Sequence, residues 1–108
     1  MSRLSRLNRR LVLEAPERAE DGAGGADVTW SEVATLWAEV APAGGREALR
    51  AEAVTAEATH RITIRRRRDV APAMRFREGA RHYDIVAVLP DYRERRWTVC
   101  LVRERPVT

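Results

Sequence analysis

The sequence predicts a mainly β protein, a small antiparallel barrel or sandwich of about six strands with one short helix. Three observations carry that expectation. Runs in which apolar and polar residues alternate recur along the chain, as half-buried strands require. Glycine and proline clusters punctuate them at Gly22-Ala23-Gly24-Gly25, Pro42-Ala43-Gly44-Gly45 and Gly79. At 108 residues the chain is one domain, large enough to bury roughly 65% of its unfolded surface around a single core.

Leu11-Val12-Leu13 is the first short strand, and Ala15 to Asp27, with Pro16 and the glycine cluster, reads as an exposed flexible loop. Trp30, Val33, Trp37 and Val40 fit a helical face as well as a strand. Thr35, Trp37 and Val40 favour extended chain and the stretch stops at Pro42, so a strand is expected over Thr35 to Ala41. From Arg46 to Ala58, Leu49, Ala53 and Ala56 recur at helical spacing, and Glu47 stands near the start, where the helix dipole favours an acid.

A strand from Thr59 to about Arg67 follows, with Ile62 and Ile64 on one face and Arg61, Thr63, Arg65 and Arg67 on the other. A short strand at Met74 to Arg77, a turn at Glu78-Gly79-Ala80 and two longer strands, Arg81 to Leu89 and Arg96 to Glu104, complete the set. The polar segment 90–95 joins the last two as a hairpin. The core candidates are Trp37, Ile62, Ile64, Ile85, Trp97, Val99 and Leu101.

All 20 basic residues are arginine, which a GC-rich coding sequence explains before any preference for phosphate does. Their distribution says more. Residues 1–10 carry four arginines and no acid, residues 11–58 three arginines against ten acids, and residues 59–108 thirteen against six. Such a chain can present an acidic and a basic face, which favours head-to-tail association with copies of itself, docking between unlike neighbours, or contact with nucleic acid.

The remaining evidence excludes function classes. The chain has no Gly-rich phosphate loop, nucleophile elbow or HExxH, and its sixteen acids are scattered, so no catalytic residue, metal or cofactor is expected. His60 and His82 are too isolated to form a metal pair, and the lone Cys100 reads as a small buried hydrophobe. No run approaches the ~20 apolar residues of a membrane helix. The basic residues 1–10 are not followed by the apolar stretch of a secretory signal, so synthesis in a reducing cytoplasm is expected.

The ordered set Trp30, Val33-Ala34-Thr35-Leu36-Trp37-Ala38-Glu39-Val40-Ala41-Pro42, Gly45-Arg46-Glu47, Thr59-His60-Arg61-Ile62-Thr63-Ile64-Arg65, Pro72, Met74-Arg75, Gly79 and Tyr83-Asp84-Ile85 resembles the phage head-tail joining family. Its members are also called head-closure, stopper or head-tail adaptor proteins. The resemblance runs from about Leu4 to Glu104 and implies one head-tail joining domain over 1–108. It implies a β-barrel connector made in the bacterial cytoplasm for the neck of a tailed-phage or gene transfer agent particle. The partners so implied are copies of itself in a ring of six or twelve, a portal or adaptor protein above, a tail terminator or tail completion protein below, and packaged double-stranded DNA in the channel.

Within that reading, Arg65, Arg66, Arg67 and Arg68 rank first as intersubunit contacts, second as a solvated strand end and third as DNA contacts. Arg75, Arg77 and Arg81 flank the Gly79 turn and make 69–82 a candidate functional loop facing neighbour or channel. Trp30, Trp37 and Trp97 raise an aromatic platform as an alternative to core burial, and Tyr92 is a candidate exposed contact. The alternative function is a small basic barrel that binds RNA or single-stranded DNA.

Overall fold

Alternating apolar residues on six strands give this chain one continuous inner face. In a computed structural model, residues 6–20, 22, 24–43, 58–90 and 96–105 are described. The strands are β1 (Arg9–Glu20), β2 (Ala26–Pro42), β3 (His60–Arg65), β4 (Arg75–Glu78), β5 (Arg81–Pro90) and β6 (Trp97–Arg105). All neighbours are antiparallel, and the order β1-β2-β3-β6-β5-β4 closes through β4 onto β1. Closure removes the sheet edges that an open meander would leave.

Register explains which residues enter the core. Ile62 lies opposite Cys100, and Ile64 opposite Thr98. Leu13 lies opposite Phe76, and Phe76 opposite Tyr83. Each pair shares a face, and Ile62, Ile64, Leu13, Phe76, Tyr83 and Cys100 are buried in one cluster. Val70 and Met74, from the β3–β4 connection, pack against it and close the end from which β1 continues.

β1 and β2 outrun the barrel. β4 covers β1 only at Val12–Glu14, and β3 covers β2 only at Ala38–Pro42. The paired residues 15–20 and 26–31 therefore stand beyond it as a two-stranded arm, about 20 Å long at the rise of a strand. The extents of 53 × 29 × 28 Å reflect that arm. Where arm meets barrel the register shifts, Leu13 facing Ala34 but Glu14 facing Glu32, which leaves Val33 as the extra residue of a bulge.

The structure changes several boundaries. Of the segment expected as a loop over 15–27, residues 15–20 and 26–27 are strand, and β2 begins at Ala26 rather than Thr35. Segment 69–82 contains β4 and the start of β5, so only 69–74 and 79–80 connect strands. The helix expected over Arg46 to Ala58 lies, except for Ala58, outside the described residues, as does Tyr92.

Trp37 requires a correction. It was expected in the core, yet it is 58% exposed. Ala38 is buried in the core cluster, with Leu36 and Val40 packed against it, so strand alternation turns Trp37 outward. Ile62, Ile64, Ile85, Trp97 and Leu101 are buried, and Val99 is half-buried. Trp97 and Leu101, like Thr63, are buried on the outer face of β3 and β6, since their neighbours Thr98, Cys100 and Ile64 occupy the inward parity.

Candidate docking surfaces

At the root of the arm, alternation after the inward Leu13 turns Glu14 to the outer face beside two arginines of β4, and the bulge in β2 brings Glu32 opposite it. Arg75 Nε donates to its Oε1 at 2.7 Å and Arg77 Nε to its Oε2 at 3.1 Å. Arg77 also donates to Glu32 of β2 at 2.9 Å, and the Arg75 guanidinium lies 3.9 Å from the Trp30 ring centroid, a cation–π contact. Glu14 is only 5% exposed. Burial works to raise its carboxyl, but the two arginine hydrogen bonds outweigh burial and hold it below the usual carboxylate range. This knot ties β1, β2 and β4 together and fixes the arm's exit from the barrel.

The arginine run lies beside the same end. Arg67 donates to both carboxylate oxygens of Asp69, at 2.9 and 2.8 Å, and those bonds lower the aspartate's pKa. Its backbone N–H donates to Thr98 Oγ1 at 3.1 Å. Arg65, Arg66 and Arg68 are exposed and make no side-chain hydrogen bond or ion pair among the described residues. Trp37 stands between arginines on two strands, opposite Arg10 of β1 and one register step past the Ala38–Ile64 pair, beside Arg65.

The far end of the barrel carries a second polar group. Arg9 of β1 grips Glu78 of β4 with two hydrogen bonds, its Nε donating at 2.7 Å. That contact lowers the Glu78 carboxyl against the opposing effect of burial. The His60 ring meets Tyr83 edge to face, centroids 5.6 Å apart, and Nδ1 lies 2.9 Å from Thr59 Oγ1. Arg81, 59% exposed, has its Nε 3.7 Å from Glu104. Among the described residues no group of three or more His, Cys, Asp and Glu is arranged to hold a metal ion.

The candidate arginines therefore divide. Arg75 and Arg77 are held by internal acids, Arg67 by a local one and Arg81 loosely by Glu104, while Arg65, Arg66 and Arg68 face solvent. Sequence reasoning missed Glu14, Glu32 and Trp30 as their partners. Glu14 and Arg75 are 61 positions apart, and only strand register brings them together.

A closed barrel with a projecting arm and segregated surface charge is built to work by contact with other molecules. The chain belongs to the phage head completion protein family, whose model matches residues 3–105; its members are structural proteins of the virion. The solution structure of protein SF1141 from Shigella flexneri 2a is similar at 30% identity and a TM-score of 0.77, covering 99% of this chain and 100% of that one. A chain in the virion of a native gene transfer agent particle is similar at 34% identity and a TM-score of 0.65, covering 94% and 96%. No curated protein matches.

Proposed function

We propose that this protein is a non-catalytic connector of a tailed-phage or gene transfer agent particle. Copies form a ring between the portal or adaptor and the tail, close the DNA exit channel, and offer the surface on which a tail terminator or completion protein docks. The observation that carries this reading is the separation of unpaired charge within one subunit. Among the described residues, Glu17 and Asp27 stand exposed and without a side-chain partner on the arm beside a single such arginine, Arg18, and Arg10, Arg65, Arg66 and Arg68 stand exposed on the barrel. Ring contacts are heterologous, one face meeting a different face of the next copy, and unlike charges on the two faces favour that arrangement. Arginines facing a channel would be repeated by every copy, giving a sequence-independent band around the duplex.

Cryo-electron microscopy of particles carrying a tagged copy tests the reading. Density for a ring between portal and tail is expected; a tag missing from particles would overturn it. One observation favours a second reading, the exposed Trp37 beside Arg10 and Arg65, a combination that stacks on unpaired bases. On that reading the isolated chain binds single-stranded RNA or DNA, salt-dependently, and Trp37→Ala abolishes binding. Absence of binding by the monomer at low salt disposes of it.

A further inference from the structure

We infer that the β1–β2 arm of one copy docks on the Trp37 face of the next, a contact that rests on the ring reading above and supplies its interface. The first argument is the accounting of charge. Glu14, Glu32, Asp69, Glu78, Asp84 and Glu104 each lie against an arginine of the same subunit. Glu17 and Asp27, both exposed on the arm, make no side-chain bond or ion pair among the described residues. Overall, residues 15–31 hold four acids against one arginine. Of the arginines without a side-chain partner among the described residues, Arg10 lies opposite Trp37 and Arg65 beside it, Arg66 and Arg68 follow at the end of β3, and only Arg18 stands on the arm.

Geometry makes the match intermolecular. Asp27 and Trp37 lie on one strand, ten residues apart, so the arm's acids stand on the order of 30 Å from their own subunit's Trp37. An arm that leads away from its own basic face cannot satisfy that face itself, and meeting the same face on the next copy gives the head-to-tail relation a closed ring needs.

The basic face also has an apolar centre. Trp37 is 58% exposed, while the exposed Val28 of the arm shares its face with Arg18 and turns away from Glu17 and Asp27. Tryptophan and arginine are the side chains that most often anchor an interface, with a ring of polar contacts excluding water around them. From Ala26 to Trp37 the edge of β2 away from β1 pairs with no other strand among the described residues, so an incoming arm can also add backbone hydrogen bonds there. The charges steer the encounter, and Trp37 supplies its buried centre against the arm face that carries Glu17, Asp27 and Thr29.

Cysteine cross-linking in assembled particles tests this contact. One chain carries Thr29→Cys on the arm and a second Thr35→Cys beside Trp37, co-expressed in producing cells; a mixed disulfide dimer between the two chains is expected. The paired charge reversals Glu17→Arg with Asp27→Arg, or Arg65→Glu with Arg66→Glu, should each lower its yield about tenfold, and co-expressing one reversed arm with one reversed face should restore it. A ring seen in particles without the mixed dimer, or an arm cysteine that cross-links to a different virion protein, overturns the docking while leaving the connector function standing. Absence of the protein from particles brings down both.

Discussion

Arg75 donates to Glu14 at 2.7 Å across the β1–β4 seam that closes the barrel. Because Glu14 is also the first residue past the bulge, the same bond fixes barrel closure and the angle at which the arm leaves. Replacing Glu14 by glutamine should cost about 2–3 kcal/mol, since it leaves the Arg75 guanidinium without its anion and Arg77 with only the exposed Glu32. The pH dependence has a definite sign. The folded carboxyl lies below its unfolded value, so its contribution is present above the unfolded carboxylate range, near ~4.3, and is lost as pH falls through the lower folded pKa. Thermal melts from pH 6 to pH 2.5 should fall more steeply for the parent than for Glu14→Gln. Parallel curves would remove Glu14 from the acid sensitivity.

Phe76 and Trp37 separate burial from size. Phe76 is fully buried, and Phe76→Ala should cost roughly 3–5 kcal/mol. Trp37→Ala, at a larger but exposed side chain, should change stability by no more than about 0.5 kcal/mol. Denaturant titration decides it, and a large loss at Trp37 would show that its ring supports the isolated fold.

Backbone strain gives a pair of opposite effects. Ala73 has φ +81° and Gly79 φ +58°, a region that costs a side chain about 1–2 kcal/mol. Ala73→Gly should therefore raise stability by roughly 0.5–1 kcal/mol after glycine's extra unfolded entropy is subtracted. Gly79→Ala should lower it by about 1 kcal/mol from the backbone alone, because a Cβ there meets nothing within 4 Å. Equal signs in the two melting temperatures would contradict this account.

The arm should be separable from the barrel. Pro16 lies opposite Trp30, so replacing residues 17–29 by Asn-Gly gives a two-residue turn that suits an antiparallel pair. The barrel should keep its melting temperature within about 5 °C, a change of order 1 kcal/mol. Particle assembly should fail. Particles completed normally by the shortened chain would deprive the arm of any role.

Cys100 is fully buried in the core, and burial pushes its thiol up to about 12, so little thiolate is available to react. Thiol reagents at pH 8 should label it only at the rate of unfolding. Rapid labelling under native conditions would mean that β6 opens locally.

Much of the barrel was legible in the sequence because core strands advertise themselves: Ile62 and Ile64, or Tyr83 and Ile85, alternate with polar residues. The arm was not. Its strands have no core to face, so residues 15–20 show no apolar alternation, and Pro16 with the glycine cluster reads as loop chemistry. Trp37 misled for the opposite reason, since both parities of its strand carry apolar residues and small Ala38 takes the inward place. The arginine run at 65–68 was visible as composition. That Arg75 and Arg77 are already held by Glu14 and Glu32 depends on register across distant strands, which no local pattern encodes.

The ladder between β1 and β2 has a mechanical consequence. Its hydrogen bonds lie across the strands, and it runs without a break in pairing direction from Arg9 with Ala38 to Glu20 with Ala26. A pull on the tip along the arm's length is thus borne as tension by two covalent chains. It passes into the barrel as shear on several rungs at once, through β4 on one side and β3 on the other. Peeling, which would break rungs one at a time, requires a sideways load. The arm therefore resists load far better along its length than across it.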